Sequence, residues 1–121
     1  MISKNLSFVA RLRFALAGLR HALHAERSVR TQLMIFVGVL AALAYWRPPP
    51  VWWALVLLIS SAVIAAELFN TAIERLADQM QPEPHPQIRI IKDCAAAAVL
   101  VLSAGAVCVA AALALSLWEA R

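Results

Sequence analysis

A chain of 121 residues that is 63% hydrophobic and 15% charged is too apolar for an ordinary soluble domain, and its length suits a single unit. Its net charge of +4 does not point to a nucleic-acid binder, because the basic residues crowd around the ends of apolar stretches and form no soluble basic face. Glycine occurs only at Gly18, Gly38 and Gly105, which excludes a Gly-rich phosphate loop of the Walker or Rossmann kind, and soluble protein-kinase motifs are absent as well.

At the N-terminus, Leu6, Val9, Leu16, Leu19 and Leu23 recur at helical spacing, with Arg11, Arg13 and Arg20 between them. This pattern predicts an amphipathic helix over residues 1–29, lying on the membrane surface. The interrupting arginines leave no continuous apolar core followed by a cleavage site, so a signal peptide is not expected. Arg13, Arg20 and Arg27 recur every seven residues and so share one edge of such a helix. Lipid headgroups are one partner for that edge, with His21 and His24 beside them, and a nucleotide phosphate is the other.

Three uncharged stretches follow, Thr31–Trp46, Pro48–Ala66 and Cys94–Trp118, of 16, 19 and 25 residues. A helix needs about 20 apolar residues to cross a bilayer. The stretches predict spans over residues 31–47, 51–80 and 88–118. The first is short, about 24 Å at helical rise, and Arg30 and Arg47 are placed to snorkel outward from its ends. Arg47-Pro48-Pro49-Pro50 cannot continue a helix and predicts a tight, extended connection. Lys4, Arg11, Arg13, Arg20, Arg27 and Arg30 precede the first span, and Arg75, Arg89 and Lys92 flank the second connection. This bias predicts a cytoplasmic N-terminus and second connection, with the proline turn and the C-terminus outside. Trp46, Trp52, Trp53 and Trp118 suit an interfacial aromatic belt. Cys94 and Cys108 lie 14 residues apart on one expected helix, about 21 Å along its axis, so they cannot pair within the chain and are expected to be buried small residues.

Glu67, Asn70, Thr71, Glu74 and Asp78 fall at i, i+3, i+4, i+7 and i+11. At about 100° per residue all five share one narrow helix face, directly after an uncharged run. Carboxylates at membrane depth are costly and commonly functional. Glu74 and Glu26 near the water boundary suit a hard cation such as Mg²⁺, which commonly arrives with phosphate, and Lys92 suits phosphate charge. Glu67, two turns deeper than Glu74, suits a general base for a buried hydroxyl. The pattern fits phosphoryl transfer to a lipid alcohol at the interface. Asp78, Glu83 and Asp93 taken singly read as solvated acids, Lys92-Asp93 as a charge pair at a helix start, and His85 as a loop residue held by Pro84 and Pro86. Two readings of another class remain: a small membrane carrier with a titrating Glu67, and a scaffold whose polar seam joins subunits.

The segment Ala66-Glu67-Leu68-Phe69-Asn70-Thr71-Ala72-Ile73-Glu74-Arg75, followed by Ile91-Lys92-Asp93-Cys94-Ala95-Ala96-Ala97-Ala98-Val99-Leu100, closely resembles the small prokaryotic diacylglycerol kinase family, which also contains undecaprenol kinases. The likeness runs from about Phe14 to Leu102, and Ala25-Glu26-Arg27 also fits it. The resemblance implies an all-α integral membrane protein of the bacterial inner membrane: three transmembrane helices and an N-terminal surface helix, assembled as a homotrimer with active sites built between subunits. It implies ATP as co-substrate, Mg²⁺ as its metal and a membrane lipid alcohol as acceptor: diacylglycerol, or alternatively undecaprenol. By motif position, Glu67 would be the catalytic base and Asn70 would shape the site. Glu26 and Glu74 would hold the metal of Mg-ATP, and Lys92, Asp93, Glu83 and His85 would contact nucleotide. The sequence departs from the family pattern at Pro84, at Phe14 (often Tyr) and at Ser7, where an arginine is common. Arg11 or Arg13 would then take that arginine's place.

Overall fold

The computed structural model describes residues 5–121; Lys4 and the first residues of the expected surface helix lie outside them. Every element among the described residues is helical: α1 (Phe8–Ala25), α2 (Arg27–Trp46), α3 (Pro50–Met80) and α4 (Pro86–Glu119). Helices α2, α3 and α4 are long and apolar enough to cross a membrane.

Each boundary has a local cause. Ser7 caps α1, its Oγ accepting the Ala10 N–H at 3.2 Å, so the serine at this position has a job in starting the helix. Pro50 and Pro86 open α3 and α4, where a missing N–H costs nothing and the fixed φ suits a helix. Helix α3 stops at Gln81, which precedes Pro82 and is pushed out of the helical region, with φ −145° and ψ 87°. His85 closes the α3–α4 connection as the N-cap of α4, its Nδ1 accepting the Gln87 N–H at 3.1 Å. Arg47 ends α2 in the left-handed region, at φ 49°, and its N–H donates to the Leu43 carbonyl at 2.9 Å. The proline turn is therefore entered through a left-handed residue and is not extended throughout.

The break between α1 and α2 falls at Glu26, which is extended at φ −114° and ψ 117°. Arg27 thus belongs to α2, and the seven-residue edge that Arg13, Arg20 and Arg27 would share is interrupted after Arg20. Arg30 does not snorkel outward. Its guanidinium turns back and donates to the carbonyls of Leu23 at 2.9 Å and His24 at 3.0 Å. The last carbonyls of a helix lack internal partners and carry partial negative charge, and the arginine answers both needs. Ala22 and Val29, buried on either side of the break, hold the elbow closed.

Helix α3 is the centre of the molecule. It buries Val56, Val63, Ala66, Glu67, Thr71 and Ala77 and packs most extensively against α4, less against α2 and least against α1. Gly105 faces α3, where a Cβ would make an ordinary contact with Ile59 Cδ1 at 3.5 Å. Helix α2 does not pack on α4, which leaves an apolar groove of about 760 Å³ between them, lined by Phe36, Val39 and Leu43 on one side and Ala106, Ala110 and Leu113 on the other. Cys94 and Cys108 are exposed, contrary to the burial expected of small apolar residues. The reason is that α4 has only one neighbour, so most of its circumference faces outward. The chain exposes 9281 Å², against roughly 6,400 Å² for a compact soluble monomer of this length. The excess is apolar helix surface, with Phe8, Met34, Leu58, Phe69 and Leu100 all outward.

Candidate functional site at the elbow and the polar seam

Glu67 lies on the buried face of α3 and is only 6% exposed. Among the described residues, no hydrogen bond or ion pair reaches its carboxylate. Thr71, one turn on, is also buried. Between Glu67 and Glu74 stands Asn70, whose Nδ2 donates to Glu74 Oε1 at 3.2 Å. An ionised carboxylate only accepts, so this contact settles which end of the Asn70 amide faces Glu74. The Asn70 Oδ1 is then turned away, buried and without a partner among the described residues. A buried acceptor left open costs free energy of order 1–3 kcal/mol unless something donates to it. Glu67 and Asn70 thus present an unpaired carboxylate and an unpaired acceptor on neighbouring turns. Each suits a donor that the chain does not itself supply, and a hydroxyl, with its single proton, can satisfy one of the two.

Nearer the end of α3 the site becomes ionic. Arg75 reaches across to the elbow, its terminal nitrogen 3.3 Å from Glu26 Oε1, with the two side chains 50% and 28% exposed. Lys92 on α4 pairs with Asp78 on α3, Nζ to Oδ1 at 2.5 Å. Asp93 pairs with Arg89 along α4 at 3.3 Å. Lys92 and Asp93 therefore do not pair with each other. Adjacent residues on a helix point about 100° apart, and each meets a different neighbour. Asp78 is not merely solvated, since it ties α3 to α4. Glu83 lies exposed in the connection, and His85 caps α4 through Nδ1.

The structure thus brings Glu67, Asn70 and Glu74 onto one face of α3. It sets Glu26 at the elbow against α3 through Arg75, and sets Lys92 against Asp78. Arg75 and Arg30 were not legible as site-forming residues. Arg75 flanks the seam instead of lying on it, and its partner is 49 residues away in the chain. Among the described residues, no cluster of three or more His, Cys, Asp or Glu side chains forms a dedicated metal cage. Glu26 meets Arg75 and Glu74 meets Asn70; a magnesium ion that brings phosphate oxygens and water as ligands needs only one or two carboxylates from the protein. Arg11 is exposed on α1, and Arg13 lines a shallow surface hollow with Arg20, His21 and His24.

A family profile described as prokaryotic diacylglycerol kinase matches residues 13–114. A diacylglycerol kinase of Synechocystis sp. is 33% identical over 90 residues, covering 74% of this chain and 51% of that protein. An undecaprenol kinase of Bacillus subtilis is 37% identical over 51 residues, covering 42% of each. The chain spans about half the length, or less, of these curated relatives.

Proposed function

Because the chain belongs to the prokaryotic diacylglycerol kinase family, we propose that it is a lipid kinase transferring the γ-phosphoryl group of ATP to the hydroxyl of diacylglycerol at the cytoplasmic membrane interface. The observation that carries this reading is the pairing of a buried, unpartnered Glu67 with the orphaned Asn70 Oδ1. The lipid hydroxyl donates its proton to the Glu67 carboxylate as its oxygen attacks the γ-phosphorus. The bond from that phosphorus to the bridging oxygen breaks, and ADP leaves with the electron pair. Asn70 Nδ2 keeps Glu74 turned toward the nucleotide, and Asn70 Oδ1 stays open to a donor other than the reacting hydroxyl, whose one proton goes to Glu67.

Glu26 and Glu74 would hold the magnesium of Mg-ATP, which when bound neutralises charge on the transferring phosphate. Lys92 and Asp93 serve the nucleotide, with Glu83 and His85 on the connection beside it. The ion pairs Lys92–Asp78 and Arg89–Asp93 keep these side chains ordered at the α3–α4 end of the bundle. Nucleotide is cytoplasmic, and the excess of arginine at the N-terminus and second connection supports the same side for the site. Helix α1 lies along that surface with Phe8, Leu12, Leu16 and Leu19 in the lipid boundary, since the chain itself does not cover them. The large apolar area left outward supports a homotrimer in the bacterial inner membrane, with composite sites between subunits.

A second reading, undecaprenol as acceptor, is supported by the 37% identity to the Bacillus protein. Mixed micelles offered diacylglycerol and undecaprenol side by side with Mg-ATP test both. Phosphatidic acid as the main product is expected. Phosphate transfer to undecaprenol alone would exchange the acceptor, and transfer to neither would sink the kinase reading and favour a carrier or scaffold.

A further inference from the structure

We infer that Arg75 is a phosphate-binding residue of this site, held on Glu26 until Mg-ATP arrives and then exchanged onto the nucleotide's phosphates. The inference rests on the kinase reading and adds a residue to it.

The contact between Arg75 and Glu26 is a single one, at 3.3 Å, long for a charge-assisted hydrogen bond. A guanidinium carries five N–H donors, and Glu26 takes one of them. No other partner of Arg75 is present among the described residues. The side chain is half exposed, so the pair is too screened to act as a staple of the fold. Arg75 is nonetheless the cation that meets Glu26, one of the two carboxylates that suit the metal, and it follows the other, Glu74, in the chain, about 100° round the helix from it. Its neighbours in the ionic layer are otherwise engaged, Lys92 by Asp78 and Arg89 by Asp93.

A guanidinium and a divalent cation compete for the same carboxylate oxygen. When a metal–nucleotide complex enters, the cation displaces Arg75 from Glu26 and repels it. The incoming phosphate offers oxygens in the planar geometry that a guanidinium binds bidentately. Arg75 thus serves two states. Without ligand it rests against Glu26 and offsets that carboxylate's charge. With ligand it adds positive charge at the phosphates, and Glu26 is free for the metal.

The test uses the full chain in neutral detergent, with affinities for Mg-ATP and for AMP read by displacement of a fluorescent nucleotide. R75Q should weaken Mg-ATP by about tenfold, the worth of one hydrogen bond to a charged group, and AMP by less than about threefold. R75K should fall between, because it keeps the charge and loses the fork. With Mn²⁺ alone as probe, R75Q should bind the ion more tightly than the wild type, since its competitor for Glu26 is gone. If R75Q does not fold, R75K carries the same comparison. Equal losses for Mg-ATP and AMP would overturn the assignment and leave Arg75 an elbow contact. Unaltered Mg-ATP affinity in R75Q, beside normal wild-type binding, would overturn this assignment alone. A wild-type protein that binds no Mg-ATP would overturn the kinase reading and this assignment with it.

Discussion

Glu67→Gln should separate stability from catalysis, leaving stability intact and removing turnover. The side chain is 6% exposed and no hydrogen bond or ion pair reaches its carboxylate. It stands seven residues before Glu74, about 10 Å deeper along α3. Gln keeps the volume and removes the charge, so the folded state should hold. Gln cannot take a proton from the lipid hydroxyl. General-base catalysis contributes roughly 10²- to 10⁴-fold, or about 2.7–5.5 kcal/mol of barrier. The loss should appear in kcat and not in the KM for either substrate, because the interaction is made in the transition state. Initial rates in mixed micelles at saturating Mg-ATP measure the first effect, and thermal unfolding in the same detergent measures the second. Turnover within about threefold of wild type would remove Glu67 as the base. A drop in stability large enough to account for the lost activity would refute the claim that the carboxylate is buried for chemistry.

Other perturbations address other parts of the site. Glu26→Gln and Glu74→Gln should each lower activity and shift the Mg²⁺ saturation curve to higher concentration, and the double variant should lose little beyond the worse single one; an unchanged magnesium titration in both would refute the metal assignment. Arg30→Ala should leave the Leu23 and His24 carbonyls to water, at a cost of about 0.5–1.5 kcal/mol, and should speed tryptic cleavage after Arg27 while α3 and α4 stay resistant. Cleavage at the wild-type rate would mean that the elbow is held by Ala22 and Val29 alone. Arg11→Ala and Arg13→Ala should leave the KM for ATP unmoved in neutral detergent and weaken docking on anionic vesicles by about 1 kcal/mol each, less at high salt. A raised KM for ATP in either variant would place that arginine at the nucleotide instead.

The three long apolar helices and the polar face of α3 were legible from the chain alone. Both depend on short-range rules, the length an apolar run needs to cross a bilayer and the angle that each residue turns through. The same rules put Glu67 and Glu74 on one face before any packing was known. Proline marked the breaks after Trp46 and Met80, because its ring forbids helix on its N-terminal side. The break at Glu26 carries no proline or glycine, and the change from amphipathic pattern to apolar run is what places the junction of surface helix and first span there. Across it Arg30 reaches back seven residues to the last carbonyls of α1, and Arg75, 49 residues on, meets Glu26. Burial of the cysteines was misjudged. Size and polarity say which residues can be buried, but only the number of neighbouring helices decides how much of α4 is covered. The ionic partners of Lys92 and Asp93 were likewise set by the register of α3 against α4, which places Asp78 opposite Lys92. Sequence determined which elements form and which residues share a face, since these follow from bonds and angles between near neighbours. Tertiary structure alone decided which charges meet and which acceptor stays unpaired, since these depend on how separate helices come to rest against one another.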